Sequence, residues 1–120
     1  MGKIFSNNPW GFHLMIDLYE CNFKKISDES YIKQFVIDLC EHIEMTRHGD
    51  LLIDRFGVDE GYSFCQLIEE SNIAAHFIES RSGACIDIFS CKAFDRDKAT
   101  EFCVNYFEAY GYNSEVFNRG

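Results

Sequence analysis

The sequence predicts an α+β fold: a largely antiparallel β-sheet with two helices packed on one face, an α/β sandwich. Three observations carry this. Short apolar stretches of strand length recur along the chain, and one of them alternates clearly. Two longer stretches carry apolar residues at helical spacing instead. The order is strand, helix, strand, strand, then strand, strand, helix, strand, and runs of adjacent strands favour antiparallel pairing.

Residues 12–18 are mostly apolar and read as the first strand. A polar connection over 21–30 follows, with Ser27 or Asp28 as the cap of a helix. Over residues 31–45, Ile32, Phe35, Val36, Leu39, Cys40 and Ile43 form one apolar stripe, and His48, Gly49 and Asp50 end that helix. Strands are expected at 51–56, 62–68, 72–78 and 84–91, with turns over 57–61 and 80–83. The fifth strand alternates at Ile86 and Ile88. Asp95 caps a second helix whose stripe includes Ala99, Phe102, Cys103, Tyr106 and Phe107; Gly111 ends it, and 113–117 reads as a last short strand. With 120 residues and no linker or low-complexity tract, residues 1–120 form a single domain. The second sheet face must be solvated or covered, and a homodimer is one way to cover it.

Hydrophobic residues make up 47% and twelve are Phe, which excludes a disordered chain. No apolar run approaches the roughly 20 residues that span a bilayer, and the N-terminal residues lack a signal-peptide pattern. Gly2 with Ser6 fits a myristoylation pattern, but one short enough to arise by chance. The expected location is the cytoplasm. A formal charge of −9 disfavours nucleic acid as a partner, keeps the surface soluble and weakly favours cationic substrates. The six cysteines sit among apolar residues and no pair has C-x-x-C spacing, so reduced thiols are expected and a metal site is not.

No candidate for chemistry stands out singly. Ser71 reads as a strand-end hydroxyl, His76 as a core histidine, Cys91 as one cysteine of six, and Ser63 as part of a turn. There is no G-x-S-x-G and no glycine-rich phosphate loop. The constellation is more specific. Glu70-Ser71 lies between two strands, His76 follows Ser71 by five residues and Cys91 by twenty, at the end of ACIDIFSC. Gly61 and Ser63 form a G-x-S ahead of the strand pair, and His13, Leu14, Asp17, Tyr19 and Cys21 form an H-L-x-x-acid-x-Y-x-C run. Within ACIDIFSC, Ala84, Asp87 and Phe89 complete an A-x-x-D-x-F-x-C pattern. Together these resemble the small, bacterial-type S-adenosylmethionine decarboxylase proenzymes over nearly the whole chain.

That resemblance implies a pyruvoyl-dependent decarboxylase that makes its own cofactor by autocatalytic serinolysis at Glu70-Ser71, giving a β chain 1–70 and an α chain 71–120. It implies that Ser71 becomes the pyruvoyl group that forms a Schiff base with an amine substrate. His76 would be the processing base, Ser63 a second processing residue and Cys91 the proton donor after loss of CO₂. The product would supply spermidine biosynthesis, and a homodimer, or dimer of processed units, is the expected assembly. No nucleic-acid or membrane partner is expected.

The family's substrate contacts match less closely. Its Trp/aromatic-Pro-Glu segment after the histidine is here HFIESRSG, with Ser80 at the position of the glutamate and Glu79 one residue earlier. Phe56, after Arg55, aligns with a position associated with the adenine end, ahead of a turn one residue longer than usual. Phe56 and Glu79 are therefore the candidate substrate-binding residues. A pyruvoyl-dependent arginine or ornithine decarboxylase is the alternative reading, and an uncleaved, non-catalytic regulatory relative is the second.

Overall fold

The computed structural model describes residues 8–58 and 60–120; Gly2 and Ser6 lie outside the described residues. Six strands form one fully antiparallel sheet: β1 (Gly11–Tyr19), β2 (Leu52–Phe56), β3 (Gly61–Ile68), β4 (Ser71–Ile78), β5 (Gly83–Ser90) and β6 (Gly111–Arg119), in the spatial order β2-β3-β4-β5-β1-β6. Consecutive strands β2 to β5 pair as hairpins. The two remaining neighbours bring β1 beside β5 and β6 beside β1, which places the N-terminal strand inside the sheet.

Alternation along the strands sorts side chains onto two faces. Leu14, Ile16, Leu18, Ile73, Ala75, Phe77, Ala84, Ile86 and Ile88 are buried on one face. Against it pack α2 (Glu29–His42), which contributes Ile32, Phe35, Val36, Leu39 and Cys40, and α3 (Arg96–Tyr106), which contributes Ala99 and Cys103. Phe35 joins the two helices, its ring 4.7 Å from that of Phe107 and 5.2 Å from that of Tyr106, and reaches the sheet at Phe64, 6.4 Å away. Of the two caps expected for the first long helix, Ser27 and Asp28, it is Asp28 that accepts from the Tyr31 N–H, and Asp95 caps the second, accepting from the Lys98 N–H.

Three features differ from the sequence reading. The connection over 21–30 contains a one-turn helix, α1 (Phe23–Ile26), capped by Asn22 and anchored by buried Ile26. The first long helix ends at His42 rather than near Met45. Glu44 takes a left-handed φ of 58°, and the Met45 N–H bonds back to the Cys40 carbonyl, closing the helix without a glycine. The last strand runs nine residues, held along its length by β1. No described helix is long and apolar enough to cross a membrane.

Among the described residues, no helix covers the opposite sheet face. Exposed there are Leu52 and Phe56 on β2, Leu67 on β3, Tyr19 on β1 and Phe117 on β6. Ser63, Cys65, His76, Cys85, Asp87, His13 and Asp17 share that face by register.

Candidate active site

The β3–β4 hairpin is the sharpest connection in the sheet. Ile68 pairs with Ser71, so Glu69 and Glu70 form a two-residue loop. Loops of this length usually take φ above zero, supplied by Asn or Gly. Neither glutamate has positive φ, and the loop is held from outside. The Glu69 N–H donates to the Thr46 carbonyl at 2.9 Å, and the Thr46 N–H donates to Glu70 Oε1 at 3.2 Å. From the other side, the Cys91 N–H donates to the Glu70 carbonyl oxygen at 2.9 Å.

Thr46 belongs to a segment laid against the end of β3. Arg47 pairs with Ile68, and the His48 N–H donates to the Leu67 carbonyl at 2.8 Å. Fully buried Gln66 fixes this segment, since its Nε2 donates to the carbonyls of His48 and Gly49, each at 3.2 Å. Its Oε1 is buried without a partner in the described structure.

Ser71 opens β4 directly opposite Ser90, the last residue of β5. Glu70, Ser71 and Cys91 thus meet at one corner of the sheet. Cys91 is exposed there, whereas burial pushes the thiols of Cys21 and Cys40 up to about 11 and that of Cys103 higher still. Cys85 is also raised, by burial first and then by the Asp17 carboxyl beside it. A buried thiol held neutral is a poor proton-transfer group near pH 7. Cys91 and Cys65 are the two exposed thiols.

Ser63 and His76 meet elsewhere. They pair across β3 and β4, with Ser63 Oγ 2.8 Å from His76 Nδ1, on the face without helices. Five residues of extended chain separate His76 from Ser71, about 16 Å at roughly 3.3 Å per residue. An odd separation also places them on opposite faces, Ser71 sharing the face of buried Ile73. Within one chain, then, the candidate residues form two groups, Glu70–Ser71–Cys91 and Ser63–His76.

Three further motif residues, His13, Asp87 and Phe89, lie on β1 and β5, on the face shared by Ser63 and His76. His13 Nε2 lies 3.0 Å from Asp87 Oδ1 across β1 and β5. The Phe89 ring is flanked by Trp10 at 5.9 Å, His13 at 6.0 Å and the Arg119 guanidinium at 5.4 Å. Gly61 is required where it stands: its φ is +124°, and a Cβ there would collide with the Phe77 carbonyl.

Of the two candidate substrate contacts, Phe56 is exposed on edge strand β2, on the face of Ser63 and His76. Glu79 begins a short 3₁₀ turn, Glu79–Arg81, where Arg55 holds its carboxylate through two hydrogen bonds, one of 2.8 Å from Nη2 to Oε1. That pairing keeps the Glu79 carboxyl below the ordinary range. Thr46 and Ser90, which hold the hairpin, were not singled out by motif.

The S-adenosylmethionine decarboxylase family model matches residues 12–120. This chain belongs to that family. It is 32% identical over 95 residues to an S-adenosylmethionine decarboxylase proenzyme of Clostridium botulinum strain Loch Maree, covering 77% of this chain and 78% of that protein. A proenzyme of the same description from Prochlorococcus marinus is 26% identical over 110 residues, covering 91% and 88%. The fold matches the crystal structure of the adenosylmethionine decarboxylase from Aquifex aeolicus with a TM-score of 0.79 at 21% identity, over 93% of this chain and 92% of that one.

Proposed function

We propose that the chain is the proenzyme of an S-adenosylmethionine decarboxylase, cut by its own Ser71 into 1–70 and 71–120. The observation that carries this is the hydrogen bond from the Cys91 N–H to the Glu70 carbonyl at the head of β4. When Ser71 Oγ adds to the Glu70 carbonyl carbon, negative charge develops on that oxygen, where a fixed N–H already points. The C–N bond then breaks, leaving Glu70 esterified to Ser71 Oγ. A base takes the Ser71 Cα proton, the Glu70 carboxylate leaves, and residue 71 becomes dehydroalanine. Tautomerisation and attack by water release ammonia and leave a pyruvoyl group as the new N-terminus.

The residues around Ser71 fit that group: the hairpin leaves the new terminus at a sheet corner beside an exposed thiol. A pyruvoyl group there would supply an electron sink for decarboxylation of a bound amine. Cys91 would return a proton to the substrate carbon after CO₂ leaves.

His76 is the best base among the candidates, yet about 16 Å of its own strand and the sheet itself separate it from its own Ser71. The site is completed when Ser63 and His76 of one copy face the hairpin of a second. Both act from the sheet face that lacks helices and exposes Leu52, Phe56 and Leu67, a surface of the kind that interfaces cover. We therefore read the working form as a homodimer.

Denaturing mass spectrometry of freshly purified protein tests the proposal. Two fragments meeting at Glu70-Ser71, the second with a borohydride-reducible end, are expected; a single chain of unmodified mass after prolonged incubation rejects it. A basic amino acid is the second substrate reading, because the Arg55 pairing already engages Glu79 and Ser80 replaces the carboxylate after it. CO₂ release from S-adenosylmethionine, and not from arginine or ornithine, is the expected result.

A further inference from the structure

Ser90 is a fully buried hydroxyl immediately before Cys91 and directly opposite Ser71. Its Oγ accepts from the Lys92 N–H at 2.9 Å and donates to the Lys92 carbonyl at 2.8 Å, with Met45 Sδ 3.9 Å away. A serine oxygen bonded to the N–H two residues on offers the backbone an alternative to the strand ladder. Here it turns the chain just after Cys91, so the ladder ends on the bond from the Cys91 N–H to the Glu70 carbonyl. The turned segment is tied down further along, where Lys92 Nζ donates to the Glu44 carbonyl at 2.9 Å. Two residues beyond Glu44, the Thr46 N–H holds the Glu70 carboxylate. Bonds from Ser90 to Lys92, Lys92 to Glu44, Thr46 to Glu70 and Cys91 to Glu70 thus surround the Glu70-Ser71 peptide.

From this circuit we infer that Ser90 is a positioning residue for self-cleavage: its hydroxyl fixes the Cys91 N–H on the carbonyl that Ser71 attacks. The inference rests on cleavage at Glu70-Ser71. A side chain on β5 that fills the same volume without a strong acceptor leaves the fold in place but lets residues 91–92 fray. The donor is then misplaced just where charge develops, and displacements of about 1 Å cost on the order of 10²-fold in rate.

The test follows cleavage of newly synthesised full-length chain in parallel with amide hydrogen exchange in the uncleavable Ser71→Ala background. Ser90→Ala is expected to slow cleavage by about 10- to 100-fold. In the Ser71→Ala background it should speed exchange at the Cys91 N–H by about tenfold relative to the Ile88 N–H, a tenfold change in opening. Ser90→Thr, which keeps the hydroxyl, should restore both. Should Ser90→Ala fail to fold, Ser90→Cys keeps the volume with a weak acceptor and should show the same pair of effects. Cleavage at the parent rate, or slow cleavage with Cys91 exchange unchanged, overturns the positioning role. A parent chain that never cuts at Glu70-Ser71 instead overturns the processing proposal and this inference with it.

Discussion

Substitutions at Ser71, Cys91 and His76 should fail in three different ways, because each acts on a different bond. Ser71→Ala lacks the attacking oxygen and should stay one chain by denaturing electrophoresis, without decarboxylase activity; cleavage in that variant sinks the mechanism. Cys91→Ala keeps its backbone N–H on the Glu70 carbonyl, so it should still cleave while losing most CO₂ release. Full activity would reject the proton-donor role. His76→Ala should accumulate the ester, which hydroxylamine splits; a variant that resists hydroxylamine rules out His76 as the base for elimination. Glu79 calls for a pH experiment. Its carboxyl is lowered by Arg55, so the pair contributes stability above the ordinary carboxylate pKa of about 4.3 and loses it as pH falls through the lowered folded value. Melting temperatures from pH 7 to pH 3 should converge for wild type and Arg55→Ala, the gap closing on the acid side. A gap that widens toward pH 3 contradicts the pairing.

At the scale of elements, hydrophobic period made the strands and both long helices legible, and alternation in ACIDIFSC already placed Ile86 and Ile88 on the buried face. The one-turn helix α1 was not legible. Only Ile26 of its four residues is buried, so no stripe can form, and its anchor comes from far along the chain, where Glu108 bonds Asn22 and Lys25. The site divides in the same way. Resemblance to the family's spaced motifs singles out Ser63, His76, Ser71 and Cys91, but motif spacing along one strand does not show which face a partner works from. The supports of the hairpin were invisible because backbone N–H groups of Thr46 and Cys91 make the contacts, and any residue carries those. Gly61 joins residue to element: its φ of +124° and the nearby Phe77 carbonyl exclude a side chain at the start of β3. Gly61→Ala should cost about 2–4 kcal/mol in chemical denaturation, combining backbone conformation with overpacking. A loss under about 0.5 kcal/mol, as at ordinary surface sites, would mean that the strand shifts freely there.

For the whole molecule, the decisive quantity is the distance between the two groups of site residues. A chain that processed itself alone would have to bring His76 around the sheet to its own Ser71, breaking β4 pairing with both β3 and β5. Two copies need no such rearrangement, since an exposed Ser63–His76 pair on one can face an exposed corner of the other. Complementation separates these routes. Ser71→Ala retains His76, and His76→Ala retains Ser71, so neither homodimer should complete processing. Mixed at synthesis, half of the dimers formed by random pairing carry one of each. In these, the intact His76 of one chain serves the intact Ser71 of the other, and fragments 1–70 and 71–120 should appear from the His76→Ala chain alone. Mass spectrometry distinguishes the source, because only that chain's second fragment carries alanine at position 76. Co-synthesis that yields no fragments, while wild type cleaves under the same conditions, would place the base in the same chain as the serine and require β4 to open before the bond is cut.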